Sequence, residues 1–168
     1  LKKNNFDIGL HPSYFSWNNF EIILSQKSRI EKKFNIKITQ SRQHWLRFSI
    51  FKTISNIEKA GILFDFSYGF NDKYGFRNGS CLKIIPRNFN NKSLSKIKLI
   101  PLVIMDSQLF HYNNLNFNSR KKIIDRIINE IINVGGEASI LWHPHTFSTD
   151  YNWRKEFLYL VRKIMKIS

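Results

Sequence analysis

Three polar residues each stand where an apolar run stops. His11 follows Asp7-Ile8-Gly9-Leu10, Asp106 follows Leu102-Val103-Ile104-Met105, and His143 follows Ser139-Ile140-Leu141-Trp142. If those runs are strands of one α/β layer, all three side chains come at strand C-terminal ends, where α/β barrels place their sites. Three such coincidences favour a shared site over unrelated surface groups. Arg47 and His44 belong to a fourth strand candidate, around Trp45 to Ile50. His145 makes an H-x-H with His143 that could chelate a metal in an extended segment, although a loop side chain facing solvent is the plainer expectation. His111 falls in a polar loop and is expected to be exposed. Cys81 is the single cysteine, so neither an internal disulfide nor a CxxC site is available. No histidine neighbours it to activate a thiolate, so a small, partly buried residue beside a loop is expected.

The elements that would position these residues alternate between strand and helix. Phe6 to Leu10 is a short apolar run closed by His11-Pro12. Trp17 to Phe34 has helical periodicity, with Phe20, Ile23, Leu24, Ile30 and Phe34 on one broad face. Ile36 to Thr39 and Ile62 to Phe66 read as strands, and Thr53 to Ala60 as a short helix stopped by Gly61. Ser67 to Asn91 carries glycines and aromatics without a period and reads as a long loop, which in a compact domain is often functional. Ile97 to Met105 is the near-continuous apolar run of a strand buried on both faces. Ser119 to Val134 repeats isoleucine at helical spacing and ends at Gly135-Gly136. Ala138 to Trp142 follows as strand and Trp153 to Ile167 as helix. This order predicts parallel strands with helices outside. A closed (β/α) barrel needs more strands than the five or six legible here, so the expectation is a partial barrel. The missing strands would lie upstream of Leu1.

The chain has 168 residues, 27 Lys plus Arg against 12 Asp plus Glu, and a formal net charge of +15. One domain of ordinary size is expected. No run of about 18 or more apolar residues occurs, so no membrane-spanning helix is expected. The charge raises nucleic-acid binding, but Lys, Asn and Ile are enriched together, as in Lys2-Lys3-Asn4-Asn5, and all three use AT-rich codons. The basic residues are spread from Lys2 to Lys166 rather than clustered, which points to composition and away from a dedicated nucleic-acid surface.

At the strand-end residues a family resemblance emerges. Asp7-Ile8-Gly9-Leu10-His11-Pro12-Ser13-Tyr14 resembles the second motif of the polysaccharide deacetylase (NodB-homology) family. Ser41-Arg42-Gln43-His44-Trp45-Leu46-Arg47-Phe48 resembles the third-motif region of a divergent bacterial branch of it. Gly75-Phe76-Arg77-Asn78-Gly79-Ser80-Cys81, Ile100 to Asp106 and Leu141-Trp142-His143 continue that branch's order, so the similarity spans nearly the whole chain. It implies an α/β fold, specifically the C-terminal part of one (β/α)-barrel catalytic domain of this type. It also implies metal-dependent removal of N- or O-acetyl groups from a polysaccharide or glycan, in a bacterial cytoplasm or envelope. The family's divalent metal, often zinc, would take His11 as a ligand. His143 matches the late-strand general acid, and Asp106 would pair with it, holding its tautomer and raising its pKa. Arg47 corresponds to the arginine that orients the base carboxylate. Arg77 would meet a sugar hydroxyl or carboxylate. Trp17, Trp45, Trp142 and Trp153 are candidates to stack on sugar rings, Trp142 being the best placed.

Two departures qualify what the resemblance implies. The second metal-binding histidine of the second motif is Phe15 here, leaving His44 on the neighbouring strand as the replacement candidate. The family's early Asp-Asp motif is absent, so the expectation is a piece that is inert alone and active within a longer parent. Two other functions compete: a degenerate relative that binds glycan without hydrolysis, and a basic nucleic-acid-binding module, which would show a salt-steep affinity.

Overall fold

A computed structural model describes residues 6–87 and 93–166. Lys2 to Asn5, the end of the expected loop at Asn91, and Ile167 lie outside the described residues. Contacts divide the chain into two compact units, Leu1–Tyr68 with Lys83–Pro101 and Gly69–Leu82 with Leu102–Ser168. Among the described residues, no helix is long and apolar enough to cross a membrane.

The first unit holds helix α1 (Phe20–Phe34), strand β1 (Gln40–Ser41), helix α2 (Thr53–Lys59) and strands β2 (Phe64–Asp65) and β3 (Lys98–Leu99). Asn19 caps α1 by accepting a bond from the Ile22 N–H at 3.0 Å. The helix ends on Asn35, whose φ of 47° is one that asparagine tolerates better than most side chains. Glu31 receives both the Lys27 ammonium and the Ile38 N–H at 2.8 Å, which fixes where the chain leaves the helix. The Ile38 N–H and the Lys27 contact hold the Glu31 carboxyl below its ordinary range. β1, β2 and β3 pair in that order, all parallel, and Leu10 adds a parallel bridge to Ser41. The expected first strand is thereby reduced to one residue, since Pro12 soon ends it. Leu10, Ile23, Ile38, Ile54, Ile57, Ile62, Ile97 and Leu99 form the core.

Trp45 to Ile50 is not a strand. Trp45 (φ 54°) and Leu46 (φ 50°) are both left-handed, and the Arg47 N–H closes a tight turn onto the His44 carbonyl at 3.1 Å. The apolar alternation there still marks burial, with Leu46 inside and Phe48 and Ile50 half-buried. The backbone groups a strand would offer are spent on the turn, and the Ser49 N–H goes to the Thr53 hydroxyl at the start of α2.

The second unit holds strand β4 (Leu102–Met105), helices α3 (Asp106–Phe110) and α4 (Phe117–Asn133), strand β5 (Ser139–Leu141) and helix α5 (Arg154–Met165). The apolar run from Ile97 to Met105 is therefore two strands, parted at Ile100-Pro101, where proline has no N–H to pair. β4 and β5 are parallel neighbours, with Met105 opposite Leu141. α4 is capped by Asn116, stopped at Gly135 (φ 61°), and buries Ile124, Ile127 and Ile128. α5 is tied to α4 by Arg120 on Glu156 at 2.7 Å and by the Tyr159 hydroxyl donating to Asp125 at 2.7 Å. That bond pushes the Tyr159 pKa up to about 12. α3 was not legible beforehand. It forms because Gln108 accepts from the Met105 N–H at 2.8 Å and donates to the Phe70 carbonyl at 2.6 Å.

The glycine loop passes against β4 at Gly69, where a Cβ would stand 2.6 Å from the Leu102 carbonyl oxygen and 2.7 Å from its Cβ. Gly69→Ala is expected to destabilise the protein by about 1–3 kcal/mol, the usual cost of overpacking. Thermal unfolding checks it, each kcal/mol lowering Tm by about 2–4 °C; an unchanged Tm would count against the close approach.

Candidate functional site

In the first unit, the C-terminal ends of the parallel strands bring together His11, Arg42, His44 and Asp65. The Nδ1 of His11 lies 2.7 Å from the Arg42 carbonyl. A carbonyl only accepts, so Nδ1 carries the hydrogen and Nε2 is the nitrogen with the lone pair in the neutral ring. The His44 ring is 5.0 Å from that of His11, tilted 34°. His44 sits on the left-handed turn and not on a strand, correcting the expected placement of both His44 and Arg47.

Arg47 caps that turn. Its guanidinium lies 4.1 Å over the Tyr14 ring and 5.3 Å from the Trp17 ring, and it donates to the Tyr14 carbonyl at 3.2 Å. It is thus set against rings and a carbonyl, whereas the arginine beside a buried carboxylate is Arg42. Arg42 donates through Nε to the Phe66 carbonyl at 3.2 Å. Burial pushes its pKa down, opposed by the charge of Asp65.

Asp65 is fully buried and was not singled out from the sequence. The Ser41 hydroxyl donates to Oδ2 at 2.6 Å and the Ser67 N–H to Oδ1 at 2.9 Å, while the Ser67 hydroxyl takes the Gln43 N–H at 2.8 Å. These bonds lace the ends of β1 and β2 together. Burial raises the Asp65 pKa above 3.8, with Ser41, Ser67 and Arg42 pulling the other way. One signal was available: a lone carboxylate inside the apolar run Ile62 to Phe66. Beside it, the Gln43 side chain is 1% exposed, and its amide nitrogen and oxygen both lack a hydrogen-bond partner. An orphaned buried group costs about 1–3 kcal/mol. Left-handed backbone at Trp45 and Leu46 adds on the order of 1–2 kcal/mol per residue. The strand ends are where this unit carries its strain. Its hollow lined by Phe6, Asp7, Ile8, Asn35, Ile36 and Lys37 lies at the opposite, N-terminal ends of the strands.

In the second unit Asp106 begins α3 directly after β4, and the β4–β5 register sets His143 beside it. Asp106 is fully buried. Its Oδ1 meets His143 Nδ1 at 2.8 Å and the Ser107 N–H at 2.8 Å, and its Oδ2 accepts the His143 N–H at 2.8 Å. Thr146 approaches Oδ2 at 3.4 Å and donates to the His143 carbonyl at 2.6 Å. The pair expected from the sequence is present, in a geometry that fixes Nδ1–H toward the carboxylate and turns Nε2 away from it.

The other candidates sit as follows. Trp142 packs against Phe110 and Phe157, with ring separations of 6.2 and 5.6 Å, and its buried indole N–H lacks a hydrogen-bond acceptor. Arg77 donates to the Gly69 carbonyl at 3.0 Å, bracing the glycine loop. His145 is exposed, 5.5 Å from the His143 ring and 5.2 Å from Tyr151. His111 packs edge-on against Trp153 at 4.7 Å. Cys81 is buried. Among the described residues, no group of three or more His, Cys, Asp or Glu could hold a metal ion. His11 and His44 supply two imidazoles, one short of the three protein ligands usual in catalytic zinc sites.

A carboxyl with a higher pKa folded than unfolded keeps its proton longer in the native state. Its contribution therefore favours the fold at low pH and is lost as pH rises from 3.8 through the raised value. Relative to Asp65→Asn, the wild-type protein is expected to lose stability across that interval. Urea midpoints of both proteins, taken from below pH 3.8 to neutrality, check this; a gap that stays constant or moves in favour of the wild type refutes it.

Compared with known proteins, the chain matches no family model and no curated sequence.

Proposed function

We propose that this chain is part of a hydrolase that removes acetyl groups from an acetylated polysaccharide or glycan, on part of a (β/α) barrel of the polysaccharide deacetylase type. The observation that carries this is the grip of Asp106 on His143, through the ring Nδ1 and the backbone N–H, each at 2.8 Å. An imidazole pinned at Nδ1 exchanges protons through Nε2 alone, in one direction. Cleaving an acetamide or acetyl ester expels an amine or alkoxide, which leaves readily only when it receives a proton. His143 is the general acid that delivers it, and Asp106 is its positioning residue. Arg42, beside the buried Asp65, fits a carboxylate-orienting role better than Arg47, which is committed to Tyr14. Arg77 and Trp142, expected as substrate contacts, are engaged instead by the Gly69 carbonyl and by Phe110 and Phe157, so the proposal assigns neither a sugar contact. It retains a divalent metal, zinc first, with His11 and His44 as candidate ligands that need a further ligand to complete the site.

A second function, glycan binding without hydrolysis, is favoured by that same shortfall. Phe15, in the position of the resembled family's second histidine, is 74% exposed and cannot ligate.

Acetate release from an N-acetylated chitooligosaccharide and an O-acetylated xylan, with zinc supplied, separates the two. Within a longer parent that carries this chain, hydrolysis is expected, with kcat falling about 10²–10⁴-fold in His143→Gln, the usual weight of one acid–base group. His11→Ala is expected to lower bound zinc. Acetate release indifferent to both changes sinks the proposed chemistry. Saccharide binding without acetate release selects the second function.

A further inference from the structure

Five rings meet across the loop and turn at the strand ends of the first unit, three of them on Tyr14. Phe15 meets Tyr14 edge-on at 5.1 Å, Tyr14 meets Trp45 edge-on at 6.4 Å, and Tyr14 meets His44 edge-on at 6.1 Å. The His11 ring continues the row beyond His44. Trp45 is 72% exposed, Phe15 74% and Tyr14 42%. The row is braced from beneath. Arg47 bonds the Tyr14 carbonyl and covers its ring, while Gln26 of α1 both accepts from the Ser13 N–H and donates to the Ser13 hydroxyl.

The backbone adds an independent observation. Trp45 and Leu46 are consecutive non-glycine residues at positive φ. For Leu46 the strain is offset by burial of its side chain, which is 5% exposed. Trp45, on the same left-handed backbone, keeps an edge contact with Tyr14 but is 72% exposed, so burial offsets little of its strain. Strain of this kind gathers at ligand sites.

Resting on the carbohydrate proposal above, we propose that Trp45, with Tyr14 standing edge-on beside it, forms a ledge on which a pyranose ring stacks. The apolar C–H face of a pyranose matches an exposed aromatic face, and its equatorial hydroxyls need polar groups at the rim. With no metal bound, His11 and His44 offer such groups. Stacked nucleobases would use the same rings, but nucleic-acid affinity comes chiefly from cations on phosphates. The arginines here are engaged within the fold, Arg47 on Tyr14 and Arg42 on the Phe66 carbonyl. The chemistry therefore favours a sugar.

Titration of the protein with cellohexaose and chitohexaose, read by tryptophan fluorescence and calorimetry, tests this against poly(U). Saccharide binding is expected, weakened about tenfold in Trp45→Ala and kept close to wild type in Trp45→Phe. Trp45→Gly is expected to bind as poorly as the alanine variant while its Tm rises by about 2–4 °C, because glycine relieves the left-handed backbone. That rise separates lost stacking from lost folding. No saccharide binding at millimolar concentration, undiminished binding by Trp45→Ala, or poly(U) binding that depends on Trp45 in place of sugar binding overturns the ledge. Absent acetate release with Trp45-dependent binding therefore removes the hydrolysis alone, and acetate release with Trp45-independent binding removes the ledge alone.

Discussion

A carboxylate taken out of water must be surrounded by donors, and both units of this protein are organised around that demand at the end of a parallel strand. Moving an ionised carboxylate into a protein interior costs several kcal/mol unless hydrogen bonds replace the lost solvent. Asp65 collects the hydroxyl and backbone donors of Ser41 and Ser67, with the Arg42 charge nearby. Asp106 collects two backbone N–H groups and an imidazole. Each solution also determines local geometry. The Asp65 network joins the ends of β1 and β2, and the Asp106 network sets the start of α3 and the orientation of His143. The strand ends hold their side chains in place because a buried carboxyl group, with its donors fixed, allows few alternatives.

What the sequence made legible follows from this. Apolar periodicity reports which face is buried, so α4, with Ile124, Ile127 and Ile128 inward, could be placed to within two residues at its start. The strand-end positions of Asp106 and His143 were legible because each closes an apolar run, and their pairing followed once the runs were taken as neighbouring parallel strands. Trp45 to Ile50 misled for the same reason that α4 did not. Its alternation is real burial, but the φ angles of Trp45 and Leu46 are a backbone property that side-chain polarity does not encode. Asp65 is not legible as a site because a single carboxylate in a strand-like run looks like an interruption, and its meaning lies in Ser41 and Arg42, far away in sequence and brought near by parallel pairing.

The positive charge has a structural counterpart in the aromatic content of 15%. Arg47 lies over Tyr14, Arg120 over Phe110 and Lys155 over Phe117, each at 4.1 Å, and Lys121 over Tyr159 at 4.6 Å. Each such contact at a partly exposed site contributes about 0.5–1 kcal/mol. Each of these four cations is held against a ring of its own unit.

The tryptophans show how position decides between packing and recognition. Trp142 was the best-placed candidate on strand logic, directly before His143. A residue that close to the end of β5 is still flanked by the helices that cover the strand, and Phe110 and Phe157 close around it. Trp153 likewise stacks on Phe110 at 4.3 Å. Trp45 leaves the strand system altogether, carried outward by a turn that no regular element would tolerate. A ring at strand ends stays exposed only on a segment that does not continue into a packed helix, and in the first unit the left-handed turn is that segment. The irregular backbone that defeats periodicity is thus the same feature that turns an aromatic ring out to solvent.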